Sequence, residues 1–343
     1  MTLALLLVGF GHVARRFVRL LDESRPALSA LGVETKVVGI ATRRHGAMFD
    51  VAGLDAVRAA LKVAEGGAIG PASQPPTLEW IAQLRSQSAE TRVLIETTTL
   101  DVRSGEPAIS HVRAAFAAGA HVITANKGPA AFAYQALTRE ADAAGVSFLF
   151  EGAVMDGIPV FSFVRETLPA TTIHGFRGVV NATTNYILAA MEAGESFDRA
   201  LLAMQQAGIA EADPALDLEG WDAAAKTSAL ANVWLNADIT PHNVRREGVG
   251  PEAAARAKAA RRSGRRLKLV ASARRRDARV TPEVTLVELE ATDPLAILDG
   301  ASSAIEIDTW PTGRIVITQR DSGLEKTAYA LLGDLVTVAK RAT

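Results

Sequence analysis

A chain of 343 residues has room for two domains around a sizeable core. Its 48% apolar and 22% charged residues, with 37 basic side chains against 38 acidic ones, exclude a disordered chain and leave no charge excess for nucleic acid or an anionic membrane. The absence of cysteine excludes disulfides, thiolate chemistry and Cys-held zinc or iron–sulfur sites, and the six histidines show no ligand spacing.

The apolar run 3–10 is too short to span a bilayer and no basic segment precedes it, so a soluble cytoplasmic protein is expected. Within it, residues 3–8 read as a strand covered on both faces. The strand runs into Gly9-Phe10-Gly11-His12-Val13-Ala14, after which Val13, Phe17, Leu20 and Leu21 recur at helical spacing. Strand, Gly-x-Gly-x-x-Ala, helix is a dinucleotide-binding turn. Gly9 makes the tight turn, Gly11 lets a pyrophosphate approach the backbone, and Ala14 takes the small-residue position against the strand. The N–H groups that open the helix then face the phosphates. A second strand, 35–41, ends in Thr42-Arg43-Arg44 with no acid for ribose hydroxyls, and Glu34 lies at its other end. Two guanidiniums suit a 2′-phosphate, which favours NADP(H) over NAD(H); the plainer reading is a pair of solvated loop arginines.

Residues 50–90 read as an Ala-rich helix, a Gly/Pro/Ser loop over 66–76 and a short helix around Trp80, without chemistry. Strand 92–97 leads into Thr97-Thr98-Thr99, whose hydroxyls would meet a nicotinamide at the carboxyl edge of the sheet. Helix 106–118, strand 121–124 and Ala125-Asn126-Lys127-Gly128-Pro129 follow, which sets Lys127 on the ligand-binding edge of an open α/β sheet. Helix 131–143 and strand 146–150 complete a doubly wound domain. A tight loop over 151–159, a helix to about residue 168, and strand 172–180 come next. Asn181 then caps another helix.

Most of the remaining chemistry lies in 208–231. An acidic loop with Glu211, Asp213, Asp217 and Glu219 precedes a helix opening near Trp221, and in that helix Asp222 and Lys226 stand at i and i+4. From Ala223 to Ala237 Lys226 is the only ionisable side chain. It either snorkels outward in a surface pair or is held partly dry beside a carboxylate, where its pKa can serve proton transfer. Residues 256–279 are dense in Arg and Lys but hold no aromatic residue and fit no nucleic-acid motif, so a solvated helix and hairpin edge is expected. Strands 280–290, 304–309 and 314–319 and an amphipathic helix over 326–340 close the chain.

Five motifs stand in one order: VGFGHVA (8–14), ITANKGP (123–129), EGAVMDGIP (151–159), GVVNATTNYIL (178–188) and GIAEADPALDLEGWDAAAK (208–226). Together they resemble the homoserine dehydrogenase family over essentially the whole chain, and the last is the most specific. The resemblance implies reversible, NAD(P)H-dependent reduction of L-aspartate 4-semialdehyde to L-homoserine in threonine, methionine and isoleucine biosynthesis. It implies an α/β fold: an N-terminal Rossmann-type doubly wound parallel sheet (1–150), a second α+β domain for substrate binding and dimerisation (151–319), and a C-terminal helix (320–343) returning to the first.

Position by position, the resemblance makes Lys226 the proton donor to the carbonyl oxygen, with Asp222 as the carboxylate beside it. Lys127, where cofactor and substrate meet, is the rival donor. Glu211 matches a ligand of the substrate's amino group, and Asp217 and Thr183 join the substrate-binding set. Gly9, Phe10, Gly11, His12, Val13, Arg43, Arg44, Thr97, Thr98 and Lys127 form the cofactor set. Glu151, Val154, Asp156 and Ile158 match a loop whose carbonyls hold a monovalent cation, Na+ or K+. The implied partners are the small-molecule substrate and a second copy of the chain, not nucleic acid or a membrane.

Three positions depart from the family pattern. Ala182 replaces a glycine after Asn181, Asp156 follows Met155 in a loop that is more often glycine-rich, and Asp321-Ser322-Gly323-Leu324-Glu325 replaces a Gly-Ala-Gly loop. The chain ends near the end of the catalytic core, so no threonine feedback through an appended domain is expected. Two other readings compete: a dehydrogenase of another amino-acid-derived aldehyde or hydroxy acid, and a catalytically silent nucleotide sensor. Retention of Lys127, Glu211, Asp222 and Lys226 opposes the sensor.

Overall fold

The computed structural model describes residues 1–71, 77–87, 91–206 and 214–342, and the chain divides into two compact units. One comprises Met1–Pro129, Ala133–Phe161 and Leu324–Thr343; the other comprises Ala130–Phe132 and Ser162–Gly323.

The first unit opens with β1 (Thr2–Val8), apolar and buried from Leu3 onward, as a strand covered on both faces requires. Then come α1 (His12–Glu23), α2 (Arg25–Ala30), β2 (Glu34–Ala41), β3 (Ala47–Phe49), α3 (Ala56–Ala64) and α4 (Thr77–Ala82). β4 (Thr91–Glu96), α5 (Ala108–Ala117), β5 (His121–Thr124), α6 (Gly128–Ala144) and β6 (Phe148–Leu149) follow. The sheet order is β3-β2-β1-β4-β5-β6. Successive strands run outward to either side of β1, so the carboxyl ends of β1 and β4 flank the switch point where open α/β sheets bind ligands.

The sheet is mixed rather than wholly parallel, because β3 pairs antiparallel with β2. The Thr42 hydroxyl accepts the His45 N–H (2.7 Å) and donates to the Gly46 carbonyl (2.9 Å), folding the chain straight back on itself. A three-residue strand is too short to show a period of two, which is why the sequence pattern missed it. α6 begins at Gly128 rather than 131, since Pro129 fits a first helical turn, and it kinks at Ala133 (φ −143°). β6 keeps only two residues of the expected 146–150.

The chain goes on through α7 (Val160–Thr167), β7 (Thr172–Val179), α8 (Ala182–Glu192), α9 (Phe197–Gln206), α10 (Ala215–Leu218) and α11 (Trp221–Trp234). β8 (Arg245–Arg246), α12 (Ala253–Arg262), β9 (Arg265–Arg276), β10 (Arg279–Glu290), β11 (Ser303–Trp310) and β12 (Gly313–Gln319) complete the second unit. Its sheet, β12-β11-β7-β9-β10-β8, is antiparallel except where β8 joins β10. α8, α11 and α12 pack on β9 or β10. The basic stretch 256–279 forms α12 and the start of the β9–β10 hairpin, with Arg256 and Arg265 paired to Glu288 and Glu290.

The last helix, α13 (Leu324–Ala342), belongs to the first unit. Its Leu331, Leu335 and Val338 share a core with Leu3, Leu5, Leu7 and Phe17, and Arg16 of α1 binds both Glu23 and Glu325. Among the described residues no helix is long and apolar enough to cross a membrane.

Candidate active site

In the first unit the turn after β1 is built for a close approach. Gly9 has φ +86°, and a Cβ there would lie 2.7 Å from the Thr97 carbonyl group, so only glycine fits. Gly11 is the N-cap of α1, has open space where a Cβ would stand, and makes no side-chain cap. The N–H groups at His12, Val13 and Ala14 open α1 and have no partner within the helix, and no acidic side chain stands in that turn. Such a helix start fits a pyrophosphate. Phe10 is buried in the core and Val13 packs against it, so both offer a ligand only their backbone. His12 is exposed.

Arg43 and Arg44 are exposed just beyond the carboxyl end of β2, and neither forms an ion pair with a described residue. The Thr97 hydroxyl donates to the Gly9 carbonyl (3.0 Å), and the Thr98 hydroxyl donates to Glu96. These hydroxyls thus face protein, which leaves the backbone of the loop and the exposed Thr99 for a ligand. Lys127 is half-buried at the N-cap of α6. The residue before it, Asn126, ties the loops together. Its amide donates to the Thr98 carbonyl (3.0 Å) and its oxygen accepts the Gly128 N–H (2.8 Å). Sequence reading gave Asn126 no role; an Asn beside a Lys at a strand end was the available signal.

In the second unit the acidic corner and α11 close on Asn181. Gly220 (φ +77°) turns the chain into α11, which places Asp222 and Lys226 one turn apart. Lys226 Nζ lies 2.9 Å from Asp222 Oδ2 and donates to the Val180 carbonyl (2.6 Å). Only 14% and 15% of the two side chains is exposed, so this is a largely desolvated pair and not a solvated surface one. The Asn181 amide donates to both Asp217 Oδ1 (2.8 Å) and Asp222 Oδ2 (3.0 Å), while its oxygen accepts the Thr184 N–H (2.9 Å) as the cap of α8. Sequence reading identified Asn181 as a cap and missed its hold on two carboxylates. Thr183 is buried beside Asp217. Burial, then repulsion from Asp222, holds the Asp217 carboxyl above the ordinary aspartate range, while Asn181, Lys226 and Thr183 pull it back. Lys226, Asp222, Asp217 and Thr183 therefore come together. Glu211 and Asp213 lie outside the described residues.

The 151–158 loop spends its carboxylates on protein donors. Glu151, buried, accepts the Phe161 N–H (2.7 Å), and its own N–H donates to Asp334 Oδ2 (2.9 Å). Asp156 takes a left-handed backbone (φ +50°) and accepts the Thr327 hydroxyl (3.3 Å). Val154 is buried and the Ile158 carbonyl accepts the Val160 N–H (2.8 Å). Among the described residues no cluster of three His, Asp or Glu side chains could hold a metal, so a cation here would rest on backbone carbonyls.

Residues 159–336 match the family model for homoserine dehydrogenase, and residues 9–151 match that for the homoserine dehydrogenase NAD-binding domain. The chain is 34% identical to an NAD(+)-dependent homoserine dehydrogenase of Pseudomonas canavaninivorans, over 99% of this chain and 97% of that protein. It is 33% identical to a homoserine dehydrogenase of Methanocaldococcus jannaschii, over 97% and 98%. The crystal structure of homoserine dehydrogenase from Thermoplasma acidophilum superposes with a TM-score of 0.83 at 25% identity, covering 99% of this chain and 100% of that one.

The raised Asp217 pKa carries a sign. The native state binds the Asp217 proton more tightly than the unfolded chain, whose value is near 3.8, so the carboxyl's contribution is greatest in acid. It is lost as pH rises through the native value. The unfolding free energy of wild type minus that of Asp217→Asn should therefore fall as pH rises above about 3.8 in denaturant titrations. A difference that rises instead would show that the carboxyl is not held up.

Proposed function

The chain belongs to the homoserine dehydrogenase family, and from that premise we propose how its residues divide the reaction. It is an NAD(P)-dependent oxidoreductase acting on a CH–OH group, interconverting L-aspartate 4-semialdehyde and L-homoserine in amino-acid biosynthesis. The nicotinamide cofactor, when bound, supplies the hydride for the aldehyde carbon. The opening turn of α1, Gly9, Gly11 and the 97–99 loop would hold it through backbone groups.

Lys226 donates the proton to the aldehyde oxygen as negative charge develops there. The observation that carries this role is the desolvated 2.9 Å pair with Asp222, which holds the ammonium in one direction. The Val180 carbonyl fixes it from a second side. Asp217, Thr183 and Glu211 hold the substrate's own ammonium, and Lys127 is the alternative acid. Lys226→Ala should lower kcat by about a hundredfold or more with cofactor affinity intact, read at the reduced-nicotinamide absorbance with L-aspartate semialdehyde. A greater loss from Lys127→Ala would transfer the role to that residue.

The exposed Arg43 and Arg44 support a preference for NADP(H), since a guanidinium pairs with the 2′-phosphate in bidentate fashion. The second reading, NAD(H), is favoured by the name of the Pseudomonas relative. Replacing both arginines by alanine should raise KM for NADPH by roughly tenfold and spare KM for NADH. Equal wild-type efficiency with the two cofactors would discard the arginine reading.

The active form is a homodimer. An open strand edge favours association, and the second unit's sheet ends on β12, with Val316 exposed there and Trp310 exposed on β11. Light scattering of the purified protein giving the mass of one chain would sink this assignment.

A further inference from the structure

Glu96 ends β4 in the middle of the first unit's sheet, beside Val8 of β1 and Thr124 of β5, and it is wholly buried. A carboxyl in such a place is costly unless its oxygens are satisfied. The direction of the surrounding hydrogen bonds tells which form it takes. The Asn126 N–H donates to Thr124 Oγ1 (2.9 Å), so the Thr124 hydroxyl hydrogen is left for Glu96 Oε2 (2.7 Å). The Asn126 amide donates to Thr98 Oγ1 (3.3 Å), so that hydroxyl likewise donates to Glu96 Oε1, alongside the Thr98 N–H (2.9 Å). Three donors converge on one carboxyl, and two of them have lone pairs already engaged elsewhere. An ionised carboxylate accepts all three; the hydrogen of a neutral acid would have to displace one of these donated hydrogens. His111 Nδ1 lies 3.7 Å from Oε1, beyond hydrogen-bond reach.

We propose that Glu96 is a positioning residue for the cofactor, an anion that holds the 97–99 and 125–128 loops in place and biases bound nicotinamide toward its oxidised form. The proposal rests on the reading that these loops receive the nicotinamide. The oxidised ring is positively charged and the reduced ring is neutral, so a fixed buried anion attracts only the former. The same attraction favours hydride release during aldehyde reduction.

Dissociation constants for NADP+ and NADPH, measured by calorimetry on the full chain, test this without turnover. Glu96→Gln keeps the shape and removes the charge, and should raise the ratio of the NADP+ to the NADPH constant by roughly threefold or more. Thr124→Val removes one hydrogen bond and no charge, so it should weaken both forms together and leave the ratio alone. Glu96→Asp keeps the charge on a shorter arm and should do the same, which keeps the proposal falsifiable if Glu96→Gln does not fold. An unchanged ratio in folded Glu96→Gln, or a shifted ratio in Glu96→Asp, overturns the proposal. Thr98→Ala that leaves both constants at wild-type values would show instead that the loop does not hold the ring.

Discussion

A single planar amide governs the chemistry of the second unit. Asn181 uses both N–H donors on carboxylates, Asp217 and Asp222, and its oxygen on the start of α8. Because a carboxamide is rigid, donors and acceptor cannot be redirected separately. The position of α8 thereby fixes the positions of two acids that would otherwise repel each other. Lys226 offsets that repulsion at Oδ2 of Asp222, the same oxygen that Asn181 holds, while resting on the carbonyl of Val180, the residue just before Asn181. One short stretch of backbone after β7 thus orients an acid pair, a lysine and a helix start.

The first unit meets a different constraint, that of a sheet whose five parallel strands end at one edge. β1 and β4 come so close there that Gly9 cannot carry a side chain against Thr97. The loops beyond β4 and β5 have no ladder of their own, so side chains must fix them. Asn126 and the two threonines, Thr98 and Thr124, do so, gathered on the carboxylate of Glu96. Both units therefore order loops with an asparagine, directly on carboxylates in the second unit and through two threonines on Glu96 in the first.

The departures from the family pattern find physical reasons in the backbone. Ala182 opens α8 without a positive φ, so the position does not require glycine. Asp156 does sit in the left-handed region, where glycine is the easier choice. Its short side chain takes the Thr327 hydroxyl of α13, a contact glycine could not make. Gly157 beside it could not be replaced in turn, because a Cβ would meet the Lys326 carbonyl at 2.4 Å.

By itself the sequence determined what depends on neighbours along the chain. The dinucleotide turn, the central strands, the cap at Asn181 and the Asp222–Lys226 pair follow from local pattern, since φ/ψ preference and helical spacing act within a few residues. Tertiary structure decided what depends on approach in space. Periodicity cannot show that Asn181 reaches across 36 and 41 residues to Asp217 and Asp222, or that β3 folds back on β2. Nor can it show that the hydroxyls of Thr97 and Thr98 turn into the protein rather than toward a ligand. A hydrogen bond is a matter of distance and direction, and the chain supplies only the groups that can make one.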